Sequence, residues 1–166
     1  MSSRYLIQGM TVAIVLLFLA SGCARRIVKP NPGPTPGFPG PQAGGPMMEQ
    51  DVQMVQTTLK PIYFDYDKYM LSPEAEANLQ YDAEILKRAP QLSVVAEGHC
   101  DERGTAEYNL ALGDRRARSA VEYLSTLGIA PNRLSTVSYG SEVPVDPAHN
   151  EEAWAKNRRV YLRVSR

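Results

Sequence analysis

Between Lys29 and Pro46 the chain reads Lys-Pro-Asn-Pro-Gly-Pro-Thr-Pro-Gly-Phe-Pro-Gly-Pro-Gln-Ala-Gly-Gly-Pro, and no other run limits the fold as much. Proline withholds the backbone donor that helices and sheets require, and the segment has almost nothing to bury. It is expected to be a spacer. Extended as polyproline II at ~3.1 Å per residue, about twenty residues reach roughly 60 Å. A packed core therefore has to come from the residues beyond Pro46, and a chain of 166 residues then has room for one ordinary domain. Lysine plus arginine and aspartate plus glutamate balance at 18 each. With no net charge and no basic stripe, nucleic acid is not an expected partner.

The N-terminus carries a single early charge at Arg4, an apolar run from Met10 to Ala20, and small residues at Ser21 and Gly22. That is the pattern of a cleaved export signal, and the run is shorter than the ~20 residues of a membrane-spanning helix. Leu19-Ala-Ser-Gly-Cys23 resembles the bacterial lipobox, which makes Cys23 the expected lipidation point and the first residue of the mature protein. Several acyl chains, at about 0.8 kcal/mol per buried CH₂, hold a membrane stably where one does not. Ala24 after the cysteine favours the outer membrane by resemblance to lipoprotein sorting. Cys100 is then left without a partner for an intramolecular disulfide.

Order is expected from about Thr57, giving a signal over 1–22, a lipidated linker over 23–56 and a domain over 57–166. Pro61-Ile-Tyr-Phe-Asp65 is rich in strand formers, and Leu71-Ser-Pro-Glu74 is a helix start with a hydroxyl cap, a proline in the first turn and an early acid. Leu79, Ala83 and Leu86 repeat at helical spacing until Ala89-Pro90 ends the run. Leu92 to Gly98 alternates as a strand, with Leu92, Val94 and Ala96 on one face. A short helical segment from Ala106 to Leu112 is expected next, then a separate helix from Asp114 to about Leu127 closed by Gly128. Strands over Arg133–Tyr139 and Arg158–Val164 flank a short helix near Asn150–Lys156. Strands and helices alternate, so the economical fold is a two-layer α/β sandwich.

Asp101 comes just after a strand end, where such folds place ligand residues. Arg116 falls in the first turn of the expected second helix, where a cation is unfavourable unless an anion is near. Spacing leaves two arrangements open: a zwitterionic ligand between Asp101 and Arg116, or a plain surface salt bridge joining them. Charge-assisted hydrogen bonds in the first arrangement contribute roughly 1.5–3 kcal/mol each.

The run Gly98-His-Cys-Asp-Glu-Arg-Gly-Thr-Ala-Glu-Tyr-Asn-Leu-Ala-Leu-Gly-Asp-Arg-Arg-Ala117 is preceded by Tyr63-Phe-Asp-Tyr-Asp-Lys68. Val137-Ser-Tyr-Gly140 and Lys156-Asn-Arg-Arg-Val160 come after it. Together these motifs resemble the OmpA-like peptidoglycan-binding domain over about 60–164, and most of all its lipid-anchored members. The resemblance implies an α+β sandwich with a mixed sheet of about four strands and helices on one face. It implies binding of the diaminopimelate residue of the wall's peptide stem, whose free end carries an ammonium and a carboxylate on one carbon. By motif position, Asp101 takes the ammonium and Arg116 the carboxylate, while Asn109 offers an amide donor and acceptor. Phe64 and Asp65 belong to the closing loop with Asp67 nearby, and Arg158 matches the arginine of the terminal Asn-Arg-Arg motif. Implied partners are peptidoglycan, the outer membrane through the lipid, and a TolB-like periplasmic protein with other Tol components. No cofactor is implied.

An enzyme built on His99, Cys100 and Asp101 is disfavoured, because neighbouring strand side chains point to opposite faces and His99 cannot activate Cys100. His149 is too remote for a zinc site with His99. His99 is expected to be a packed strand-end residue and Trp154 a core anchor. The remaining rival is an envelope adaptor whose ligand is another protein.

Overall fold

The computed structural model describes residues 48–166. The signal, the lipidation point Cys23 and the spacer lie outside them. Along the chain come α1 (Glu49–Thr58), β1 (Ile62–Tyr63), α2 (Pro73–Arg88), β2 (Ser93–His99) and α3 (Ala106–Thr126). A 3₁₀ turn (Pro131–Arg133), β3 (Leu134–Gly140), α4 (Glu151–Asn157) and β4 (Arg159–Ser165) complete it. The strands form one mixed sheet in the order β1-β4-β2-β3. β2 and β3 are parallel and joined through α3, whereas β4 runs antiparallel between β1 and β2.

Register sets the two faces of the sheet. Val94 pairs with Val164, Ala96 with Leu162 and Gly98 with Val160, which puts these apolar side chains on the face that α2 and α3 cover. All of them are buried, as are Leu79, Ala83 and Leu86 of α2 and Ala117, Ala120 and Leu124 of α3. Each fully buried leucine contributes about 1.5–3 kcal/mol. The opposite face carries Glu97, Tyr161 and Arg163 and is only half covered. No helix among the described residues is long and apolar enough to cross a membrane.

The caps obey their chemistry. Ser72 Oγ accepts the Ala75 N–H at 3.1 Å, and Pro73 opens α2. At the other end Arg133 donates to the carbonyls of Leu86, Ala89 and Leu92 at 3.0, 2.9 and 2.7 Å, so one guanidinium ties the end of α2 to the turn that leads into β2. Gly128, at φ +95°, closes α3 as expected.

Three expectations need correction. Order begins before Thr57, because α1 starts at Glu49 and buries Val52 and Val55. The Gln56 amide donates to the Leu162 carbonyl at 2.9 Å and accepts the Val164 N–H at 2.8 Å. β1 spans only two residues, so this side chain supplies the pairing that the strand beside β4 is too short to provide. A ten-residue helix is marginal on propensity, and tertiary packing decides it.

Second, Gly113 does not divide the third helix: α3 runs unbroken from Ala106 to Thr126. A Cβ built on Gly98 would lie 1.9 Å from the Gly113 carbonyl oxygen. The glycine is there because helix and strand touch backbone to backbone, not because the helix ends. Arg116 therefore sits mid-helix, and no helix start lies beside it to bind an anion.

Third, Trp154 is half-buried rather than a core anchor. Its Nε1–H donates to Glu102 Oε1 at 2.8 Å, which holds α4 against the loop after β2.

Candidate functional site

β2 ends at His99, and the loop to α3 carries Cys100, Asp101 and Arg103 before Thr105 caps the helix by accepting the Tyr108 N–H at 3.2 Å. The β1–α2 loop faces this turn. Between them lies a cavity of about 150 Å³, lined by Tyr66, Asp67, Cys100, Asp101, Arg103, Gly104, Tyr108, Asn109, Leu112 and Arg116. Across its mouth the Tyr108 hydroxyl meets Asp67 Oδ1. Asp67 has φ +55°, in the left-handed region that aspartate tolerates better than most residues.

Arg116 is 1% exposed. Nε donates to the Lys68 carbonyl at 2.8 Å, Nη1 to the His99 carbonyl at 2.9 Å and to Cys100 Sγ at 3.4 Å, and Nη2 to the Asp65 carbonyl at 3.1 Å. Its Cζ stands 5.3 Å from the Phe64 ring centroid. Burial lowers its pKa, yet a guanidinium remains charged at any physiological pH. No carboxylate among the described residues pairs with it. A buried cation whose direct hydrogen bonds go to carbonyls and a thiol, with no carboxylate in contact, is well placed to receive an anion.

Asp101 is 4% exposed. Oδ1 accepts from the backbone N–H and Nε of Arg103 at 3.1 and 3.2 Å, and Oδ2 accepts Nη2 of Arg103 at 2.7 Å and Nη1 of Arg158 at 3.2 Å. Burial alone would raise its pKa, but the hydrogen bonds from Arg103 and Arg158 outweigh that and hold it below the usual carboxylate range. Asp101 and Arg116 thus line one cavity without forming the surface salt bridge that spacing had left open.

The other expected residues divide. Asn109 lines the cavity, but its amide donates to the carbonyls of Asp101 and Arg103 at 3.2 and 3.1 Å. Both donors brace the loop, and only the acceptor oxygen is left to offer. Phe64, Asp65 and Arg158 line a neighbouring cleft of about 390 Å³ with Met70, Glu74 and Lys156. They bear on the first cavity from behind, through the Asp65 carbonyl on Arg116 and through Arg158, which joins Asp101 to the Phe64 carbonyl at 3.0 Å and to Glu151 at 2.8 Å.

Sequence reasoning missed Arg103, Tyr66 and Tyr108. The guanidinium of Arg103 lies between two rings, with Cζ 4.0 Å from the Tyr66 centroid and 4.3 Å from that of Trp154. The signal available was an arginine two residues after the aspartate in a turn, a spacing at which both the backbone and the side chain of one residue can reach a single carboxylate.

His99 and Cys100 diverge as the strand geometry requires. The His99 ring is buried, stacks on Tyr139 at 5.4 Å, and lines a groove with Glu97 and Tyr161. Burial, with Arg159 adding to it, lowers its pKa to about 4. Cys100 Sγ donates instead to the Asn109 carbonyl at 3.3 Å beside the cavity, and burial raises the thiol's pKa. That environment suits an inert thiol rather than a nucleophile.

A model of the OmpA family matches residues 63–158. The chain belongs to the OmpA family. This OmpA-family domain is 52% identical over 101 residues to the peptidoglycan-associated lipoprotein of Pseudomonas aeruginosa, a match that spans 61% of this chain and 60% of the relative. The protein of the same name from Brucella melitensis is 38% identical over 149 residues, 90% of this chain and 87% of the relative. The crystal structure of the peptidoglycan-associated lipoprotein from Burkholderia pseudomallei superposes with a TM-score of 0.62 at 43% identity, covering 64% of this chain and 90% of that one. The OmpA-family fold extends to the C-terminal domain of Helicobacter pylori MotB, with a TM-score of 0.61 at 26% identity over 64% of this chain and 84% of that one.

Proposed function

We propose that this protein is a non-catalytic tether. Lipid at Cys23 holds the outer membrane, residues 24–47 give reach, and the domain grips peptidoglycan through the diaminopimelate of the peptide stem. One observation carries the ligand assignment: a buried guanidinium without a carboxylate, Arg116, and a buried carboxylate not paired with it, Asp101, line the same small cavity. A ligand group with an ammonium and a carboxylate on one carbon complements those two walls, and the names of the relatives agree with it.

Co-sedimentation with isolated cell-wall sacculi tests the reading. A lipid-free form, residues 24–166, should pellet with sacculi and release no fragments. Asp101→Asn should remain soluble while staying folded by circular dichroism. Release of fragments would point to a hydrolase instead.

A protein partner of the TolB type fits the rim of the same cavity. Tyr66 and Tyr108 line that cavity and are both exposed, and aromatic residues are enriched where proteins dock. Because this rim borders the cavity mouth, such a partner and the cell wall would exclude each other. A TolB-like protein added to the sedimentation assay should displace the domain from sacculi.

A further inference from the structure

A carboxylate offers about four acceptor positions, and all of those on Asp101 are taken: by the backbone N–H, Nε and Nη2 of Arg103 and by Nη1 of Arg158. An ammonium brings donors and no acceptor, so it cannot join this carboxylate unless one of these donors leaves. Arg158 cannot, since it is 7% exposed and its other nitrogens are fixed on Phe64 and Glu151. The backbone N–H of Arg103 is part of the turn itself. The Arg103 side chain is different: it is 29% exposed, and outward it meets only an exposed Glu151 carboxylate at 3.5 Å and the faces of Tyr66 and Trp154.

We infer that Arg103 is a specificity-determining counter-ion of the cavity: a ligand's ammonium reaches Asp101 by taking the place of the Arg103 guanidinium, which swings off its two rings. This rests on the reading of Asp101 as the ammonium site. Recognition is then an exchange of cations, not the filling of an open negative pocket. A ligand whose amine is acylated brings nothing to exchange, and Arg103 stays in place against it.

The exchange has a built-in reporter. Trp154 is the only tryptophan of the chain, and the guanidinium lies on its ring. Titration of meso-diaminopimelic acid into residues 24–166 should shift Trp154 emission in step with the binding heat, whereas the doubly N-acetylated compound should bind weakly and leave emission unchanged. Arg103→Gln removes the competitor, so it should bind meso-diaminopimelic acid about tenfold more tightly, with little emission change. Trp154→Leu, which loosens the clamp from outside the cavity, should tighten binding by a smaller factor.

Binding in the parent with no change in emission would overturn the exchange, and so would Arg103→Gln that binds equally well or more weakly. Asp101→Asn separates this from the underlying site. If that variant binds like the parent, the ammonium assignment itself is wrong. If it loses binding while Arg103→Gln gains nothing, the site stands and the exchange falls.

Discussion

Gly98 of β2 and Gly113 of α3 meet backbone to backbone, so closely that a methyl on the first would lie 1.9 Å from the carbonyl oxygen of the second. This contact sets the height at which α3 crosses the sheet. Asn109 lies one turn before it and Arg116 just after it, so the contact also fixes the cavity. Gly98→Ala is expected to cost about 3 kcal/mol through overpacking against a backbone that cannot step aside. Urea unfolding checks the cost, and muropeptide affinity should fall with it because the helix has to lift.

Arg116 ties the β1–α2 loop to the end of β2. Arg116→Lys keeps the charge but loses the planar fan of donors that reaches Lys68, Asp65 and His99. Stability should drop by about 2 kcal/mol, and affinity for meso-diaminopimelic acid should fall at least about tenfold. Arg115→Lys, on the exposed side of the same turn, should leave both within about 0.5 kcal/mol. Calorimetric titration beside a chemical melt distinguishes the two variants; equal behaviour would remove Arg116 from its role.

Asp82 and His99 give the fold opposing responses to acid. Burial raises the Asp82 carboxyl to about 7 and lowers the His99 ring to about 4. Asp82 holds its proton more tightly when folded, so its contribution is full below about pH 3.9 and is lost as pH rises through about 7. His99 stays neutral when folded, so its contribution is full above about pH 6.5 and is lost as pH falls toward 4. Each slope is about 1.4 kcal/mol per pH unit, and in the shared window they cancel. Stability of the parent should be nearly flat there. Asp82→Asn should lose stability on acidification and His99→Gln should gain it; urea midpoints at half-unit pH steps read both signs.

The start of the domain is open to the same kind of check. Residues 57–166 lack Val52, Val55 and the Gln56 amide that completes the edge of β4. Compared with residues 48–166, the shorter form should be less stable by about 3–5 kcal/mol, from two buried valines and a lost pair of backbone hydrogen bonds. Equal melting temperatures would show that α1 is dispensable.

Much of the layout was legible because local signals agreed with burial. Ser72-Pro73 caps a real helix, and Leu92, Val94 and Ala96 face the core as their alternation requires. What misled was a residue with two meanings. Glycine ends helices and also permits close contact, and Gly113 serves the second purpose, which only its distant partner Gly98 reveals. α1 was hidden because its short apolar stripe comes after a proline-rich run and is stabilised by β4, more than a hundred residues later in the chain. In the cavity, Asp101 and Arg116 could be named from motif order. The saturation of Asp101 could not, because it depends on where Arg103 and Arg158 converge in space.

Gln56 has a mechanical meaning as well. If the lipid end is pulled away from the wall, tension enters the domain through α1 and passes into β4 at Leu162 and Val164, one strand away from the β2 loop that carries Asp101. The load thus reaches the interior of the sheet by a side-chain graft before it reaches β1, the two-residue edge strand that would otherwise be the first to peel. A helix that looks like an appendage is thus tied to the interior of the sheet and not merely to its edge.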